Sequence, residues 1–156
     1  MATLNFIKKL SACFFALIVL VGLYVASLYN YLLFHSIAEG FSIVIACGIF
    51  MVAWNPRRHN TNHYVLFVGV AYLFIGILDA VHTISYKGMN ILPGYDSNAP
   101  TQLWIAARYM ESLTLLAAPF LLRAKLRAEF YILGYTAAVV FLLVSIFHWR
   151  IFPNAY

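Results

Sequence analysis

Residues 73–94 read LFIGILDAVHTISYKGMNILPG. The run opens as a membrane-grade apolar stretch, and then Asp79 and His82 interrupt it one helical turn apart. An acid and an imidazole in this place leave two readings. Either the segment lies outside a bilayer, or it crosses one and turns its polar face toward other helices. The rest of the chain decides between them.

Of the 156 residues, 64% are apolar and only 10% are charged, and the mean hydropathy is +0.86. A soluble domain carries about 25% charged residues, so this chain has too little polar surface to coat a globule in water. It shows no low-complexity tract, no Gly/Ser linker and no internal repeat. The composition is that of a polytopic membrane protein. Five apolar segments, near 10–29, 36–54, 64–84, 102–122 and 130–149, have about the 20 residues needed to cross a hydrocarbon core. They are too long for strands and lack strict alternation, so the expected fold class is all-α, a transmembrane helix bundle of five helices in one integral-membrane domain over 1–156. Trp54, Trp104 and Trp149 fall near segment ends, where their rings favour the headgroup level. Lys8 and Lys9 precede the first apolar stretch, which is too long for a signal-peptide core and lacks a convincing cleavage site, so it reads as an uncleaved helix.

Orientation follows from lysine and arginine. Lys8, Lys9, Arg57, Arg58, Arg123, Lys125 and Arg127 flank one side, whereas Lys87 and Arg150 flank the other. The positive-inside rule then predicts a cytoplasmic N-terminus. These basic clusters read as topology signals and lipid contacts, with no nucleic-acid partner. Cys13 and Cys47 lie in apolar segments without metal or disulfide spacing and read as small core residues.

The ionisable residues are not scattered. His35 and Glu39 are spaced i,i+4, Asp79 and His82 i,i+3, and Arg108 and Glu111 i,i+3, so each pair shares one helix face. At about 1.5 Å per residue, Asp79 lies roughly 8 Å inside the outer end of its segment, and all six residues fall in the outer half of the membrane. Facing lipid, each charge would cost on the order of 3 kcal/mol. Turned inward, three acids are offset by one arginine and two histidines, and that arrangement is expected. Trp104, one turn from Arg108, offers a ring to the guanidinium. Gly40, Gly48, Gly69 and Gly76 are expected to allow close helix approach, with Gly76 and Ala80 flanking Asp79.

Three chemistries fit this cluster. It can be a salt-bridge network that sets helix register, a small-molecule or proton site, or a metal or haem site using His35, His82, Glu39 and Asp79. No nucleophile stands out, since Ser36, Ser85 and Ser112 imply no triad. The loop SYKGMNILPGYDSNAPTQ is partly apolar and punctuated by Gly88, Pro93, Gly94 and Pro100, and reads as a lid over the outer mouth or as a plain connector.

Three stretches, FHSIAEGFSIVIACGIFMVAWN, YLFIGILDAVHTISYKGMNILP and TQLWIAARYMESLTLLAAPFLL, together resemble the third type of membrane-associated sensor domain of bacterial signalling proteins. The resemblance runs from about Phe34 to Tyr156, and the opening segment matches only in character. It implies a non-enzymatic input module of histidine kinases and diguanylate cyclases, multi-pass in the bacterial inner (cytoplasmic) membrane. It also places His35, Glu39, Asp79, His82, Lys87, Gly88, Met89, Trp104, Arg108 and Glu111 on the family's motifs. It names no stimulus and no cofactor. In that family a segment like IFPNAY leads into a further loop, more helices and a cytoplasmic output domain. Five crossings from a cytoplasmic start would leave Tyr156 outside, so the expectation is a truncated chain without its kinase or cyclase. The competing expectation is a redox protein holding haem, metal or quinone between helices two and three. A transporter is disfavoured, because no inverted repeat is evident. Pro119 is a candidate hinge near the inner end of helix four. The sequence leaves the oligomeric state open, a homodimer included.

Overall fold

In the computed structural model, residues 2–57, 63–92, 94, 96–122 and 127–156 are described, those at 2–4 by their backbone alone. Arg58, Arg123, Lys125 and Pro93, all used in the sequence reading, lie outside the described residues. The fold is all-α, with five helices and no strand among the described residues. The chain divides into two units, Met1–Ala38 and Glu39–Tyr156.

The first unit contains α1 (Ala2–Tyr29) and the start of α2 (Tyr31–Trp54). Asn30 alone joins them. Its Oδ1 accepts the Leu33 backbone N–H at 3.0 Å, which satisfies an orphan donor of the new helix. That one-residue joint is why α2 starts at Tyr31, upstream of the expected 36; a longer connection was assumed. α1 likewise begins before its apolar run. Large apolar side chains such as Phe6, Phe14 and Leu28 stand exposed along it, as on a helix that meets lipid.

In the second unit α3 (His63–Ser85) is the most buried element, and it packs most extensively against α4 (Asn98–Ala117) and next against α5 (Ala128–Phe147). Val70, Ala71, Leu78, Leu103 and Ala107 are fully buried at this centre. The pairs Tyr72–Glu111, Asp79–Arg108 and His82–Pro100 run in opposite chain directions, so α3 and α4 are antiparallel. Against α2, α3 presents two glycines seven residues apart, matched by two buried alanines with the same spacing. A methyl built on Gly76 would lie 3.1 Å from the Ala46 methyl, and one on Gly69 would collide with that of Ala53. Gly40 and Gly48, expected to serve the same purpose, have open space around them.

Four helices are long and apolar enough to cross a membrane: Asn5–Tyr29, Tyr31–Trp54, His63–Ser85 and Ala128–Phe147. α4 does not reach that standard, which corrects the count of five apolar spans. The reason lies in Gln102, Arg108 and Glu111, and its ion-paired side chains are directed to α3 instead of outward. α4 also begins at Asn98, before the expected 102, because Pro100 sits in the first turn, where its missing N–H costs no hydrogen bond.

At the other end of α4, the α-helix stops at Ala117, and Ala118–Leu121 form a 3-10 turn containing Pro119. The candidate hinge Pro119 therefore sits in the 3-10 turn that follows the α-helix. Cys13 and Cys47 are free and exposed, so neither is a core residue. Arg57 closes the end of α2, its guanidinium 4.0 Å from the Trp54 ring and donating to the Trp54 carbonyl at 2.9 Å.

The glycine seam gives a direct expectation. Gly69→Ala should lower the melting temperature of the detergent-solubilised protein, since overpacking costs about 1–3 kcal/mol. Gly134→Ala, with nothing within 4 Å of the added methyl, should leave it unchanged or raise it. Equal melting temperatures for the two variants would show that α2 and α3 do not meet at this seam.

Candidate functional site

The site begins with two helices that each place a charge in an apolar wall. Asp79 lies on the buried face of α3, 2% exposed, between Leu78 and the small residue Ala80. Arg108 comes from α4, and its Nη2 donates to both carboxylate oxygens of Asp79, at 2.8 and 2.6 Å. Its Nη1 donates to Glu111 Oε2 at 2.8 Å, one turn along the same helix. The second oxygen of Glu111 accepts the Tyr72 hydroxyl from α3 at 2.9 Å. The result is a chain of four side chains, Asp79–Arg108–Glu111–Tyr72, that crosses between α3 and α4 twice. Two carboxylates share one guanidinium, so with both ionised the group carries a net charge of one unit negative. A planar, permanently charged fork can hold two acids in this way, whereas a lysine ammonium would offer a point charge without the matching geometry.

One turn beyond Asp79, His82 is buried and its Nδ1 lies 2.7 Å from the Pro100 carbonyl. A carbonyl oxygen only accepts, so Nδ1 carries the proton and donates. In the neutral ring Nε2 then holds the lone pair, the tautomer in which metal-ligating or proton-accepting histidines are commonly fixed. A Glu39 carboxylate oxygen on α2 lies within 4.8 Å of a ring nitrogen of His82. His82 also lines a cavity of about 420 Å³ together with Tyr86, Lys87, Gly88, Thr101 and Tyr156. Lys87 and Gly88 occupy a 3-10 turn, Lys87–Met89, that follows α3 and ends on Asn90 in the left-handed region, φ 51°. Asparagine is among the few side chains that tolerate this conformation.

The expected residues of the second unit fall into two adjoining groups. Asp79, Arg108 and Glu111 form one ion-paired network. His82, Lys87 and Gly88 line the adjoining cavity, with Met89 in the same turn and Glu39 near His82. Asp79 is bound by Arg108 on both oxygens. His35 belongs to the first unit, where its ring stacks on Tyr31 with centroids 6.1 Å apart. Trp104 is half exposed, and the cation–π contact among the described residues is Arg57 over Trp54, not Trp104 with Arg108.

Two members were missed by the sequence reading. Tyr72 lies seven residues before Asp79 on α3, a spacing that returns to the same face, and that interval was the available signal. The Pro100 carbonyl left none, because a backbone acceptor has no sequence signature.

Fold and site together define a multi-pass membrane domain whose internal charges are concentrated between two neighbouring helices. Residues 26–156 match the family model MASE3, a membrane-associated sensor domain. The chain belongs to that family. No curated protein and no solved structure matches it.

The network predicts graded losses of stability. Asp79→Asn and Arg108→Gln should each lower the melting temperature in detergent strongly, because a broken buried ion pair costs about 3–5 kcal/mol in soluble proteins. The same loss is smaller in membranes. Glu111→Gln and Tyr72→Phe should cost less, about 1.5–3 kcal/mol for a hydrogen bond to a charged group. Unchanged melting in all four variants would rule the network out.

Proposed function

We propose that this membrane sensor domain reads its stimulus at the Asp79–Arg108–Glu111 network and the adjoining His82 cavity. In this reading it passes the signal to a cytoplasmic histidine kinase or diguanylate cyclase domain carried by longer relatives, and the chain itself catalyses nothing. The observation that carries the reading is the shared guanidinium. One ion pair suffices to fix helix register, yet Arg108 bridges two acids on two helices, one turn from a histidine-lined cavity. Arg108 Nε is also buried and has no hydrogen-bond acceptor among the described residues. A proton or polar ligand that weakens either carboxylate bond frees the guanidinium to favour the other, which changes the fit of α3 on α4. The stimulus then acts by its differential affinity for the two arrangements.

A second reading, a metal or redox centre, is supported by the fixed tautomer of His82 and by Glu39 within 4.8 Å of it. A Soret band or stoichiometric metal in the purified protein would favour it over the first.

The proposal is tested in a full-length relative with its output domain attached. His82→Ala, in a variant that inserts and melts normally, should lose or lock the signalling response. A wild-type response would leave the network with a structural role only.

The orientation this function needs places the N-terminus in the cytoplasm. Reporter fusions after Arg58 and Arg127 should then score as cytoplasmic, and fusions after Pro93 and Tyr156 as periplasmic. A cytoplasmic score at Tyr156 would mean that α4 does not cross.

A further inference from the structure

A second cavity, of about 230 Å³, lies at the end of the bundle where α4 begins, on different residues from the His82 cavity. Its wall is built by α4, by the end of α5 and by the segment that follows α5. Gln102, 5% exposed, donates both amide hydrogens of Nε2, to the carbonyls of Phe152 at 3.0 Å and Pro153 at 2.8 Å. Asn98 donates through Nδ2 to Asn154 Oδ1 at 3.3 Å and accepts the Ala155 N–H on its own Oδ1 at 2.8 Å. Four hydrogen bonds thus tie residues 152–155 to the first turns of α4.

Two opposite charges, both exposed to solvent, line the cavity. Asp96 lines it from the α4 side and Arg150 from the α5 side, and no ion pair joins them among the described residues. Arg150 adopts a left-handed backbone, φ 54°. For a side chain other than glycine or asparagine this is an uncommon conformation, of the kind retained where the surroundings demand it. One oxygen of Asp96 accepts the Asn98 N–H at 3.0 Å, which leaves the other carboxylate oxygen for a ligand. With both its N–H groups committed, Gln102 can offer only its amide oxygen.

These groups select a ligand by elimination. A metal cation is opposed by the guanidinium of Arg150, and a simple anion by the carboxylate of Asp96. A molecule with both charges satisfies each. The volume falls below the about 300–1,000 Å³ of pockets for drug-sized molecules, so the ligand is small. We propose that this cavity binds a small zwitterion, with its acidic group on Arg150 and its ammonium between Asp96 and the Gln102 amide oxygen. Two sources supply that chemistry: a free α-amino acid and the phosphoethanolamine headgroup of a lipid. The site does not depend on the reading of the Asp79 network.

The test uses the intact purified protein in detergent. Each of the twenty common amino acids, and separately glycerophosphoethanolamine, is titrated while heat of binding and melting temperature are recorded. Saturable binding of an amino acid assigns a free solute, and binding of glycerophosphoethanolamine alone assigns a lipid headgroup. In either case Asp96→Asn should weaken binding by roughly tenfold to a hundredfold, the loss expected for one charged hydrogen bond. Arg150→Gly removes the guanidinium while relieving the left-handed backbone, so it should melt no lower than the wild type and still lose binding to the same extent. Absence of binding to every probe, or binding that survives both substitutions, would overturn the proposal.

Discussion

A single guanidinium constrains the second unit. Arg108 must find acceptors within an apolar bundle, and Asp79 and Glu111 must find a cation in the same place. α4 pairs Arg108 with Glu111 within itself, but Asp79 on α3 finds its cation only on α4. Each helix carries charges that would be costly against lipid, and the cost disappears only when the two pack with these residues in register. The fully buried Leu78 and Leu103 add contact area to that pairing, but apolar contacts slide at little penalty. The ion-paired network does not. A shift of α4 by one residue would separate three hydrogen-bonding groups from their partners at once.

The seam between α2 and α3 works by a different principle. Inside a bilayer, apolar side chains gain little from leaving lipid for protein, so helices associate where their backbones approach closely. Gly69 against Ala53 and Gly76 against Ala46 supply that approach over two helical turns. The seam also brings the backbone of α2 near α3 on the side of Glu39 and His82. Small residues and charged residues thus divide the work, the first setting distance and the second setting register.

Much of this was legible beforehand, and the failures have physical causes. Helix number and type followed from apolar run length, and the inward direction of Asp79, Arg108 and Glu111 followed from the cost of exposing charge to lipid. Spacing within a helix is also readable, as the Arg108–Glu111 pair shows. Partners across helices are not: His82 turned to the backbone of Pro100, a group that every residue possesses. Gly40 and Gly48 illustrate the same limit, since a glycine in the sequence does not say whether a neighbour stands opposite it. The reading of α4 as a fifth apolar span failed because Gln102, Arg108 and Glu111 lower its apolar character below that of the other four. Its charged residues are nonetheless held by ion pairs, Arg108 to Asp79 of α3 and to Glu111.

That property makes α4 the element on which the domain's polar contacts converge. Its first two turns accept the His82 N–H bond at the Pro100 carbonyl and hold the segment after α5 through Asn98 and Gln102. Its middle pairs with α3 through Arg108 and Glu111. Lower down, Thr114 donates to the Met110 carbonyl at 2.7 Å, so the Tyr135 hydroxyl of α5, 2.6 Å away, donates to Thr114. Every one of these bonds has a definite length and direction, so α4 cannot move relative to α3 without changing its fit on α5 and on the tethered segment. A helix held only by apolar packing would absorb a local disturbance where it occurred. One held by directional bonds along its whole length transmits it, and the 3-10 turn at Ala118–Leu121 ends that rigid length on the side away from His82.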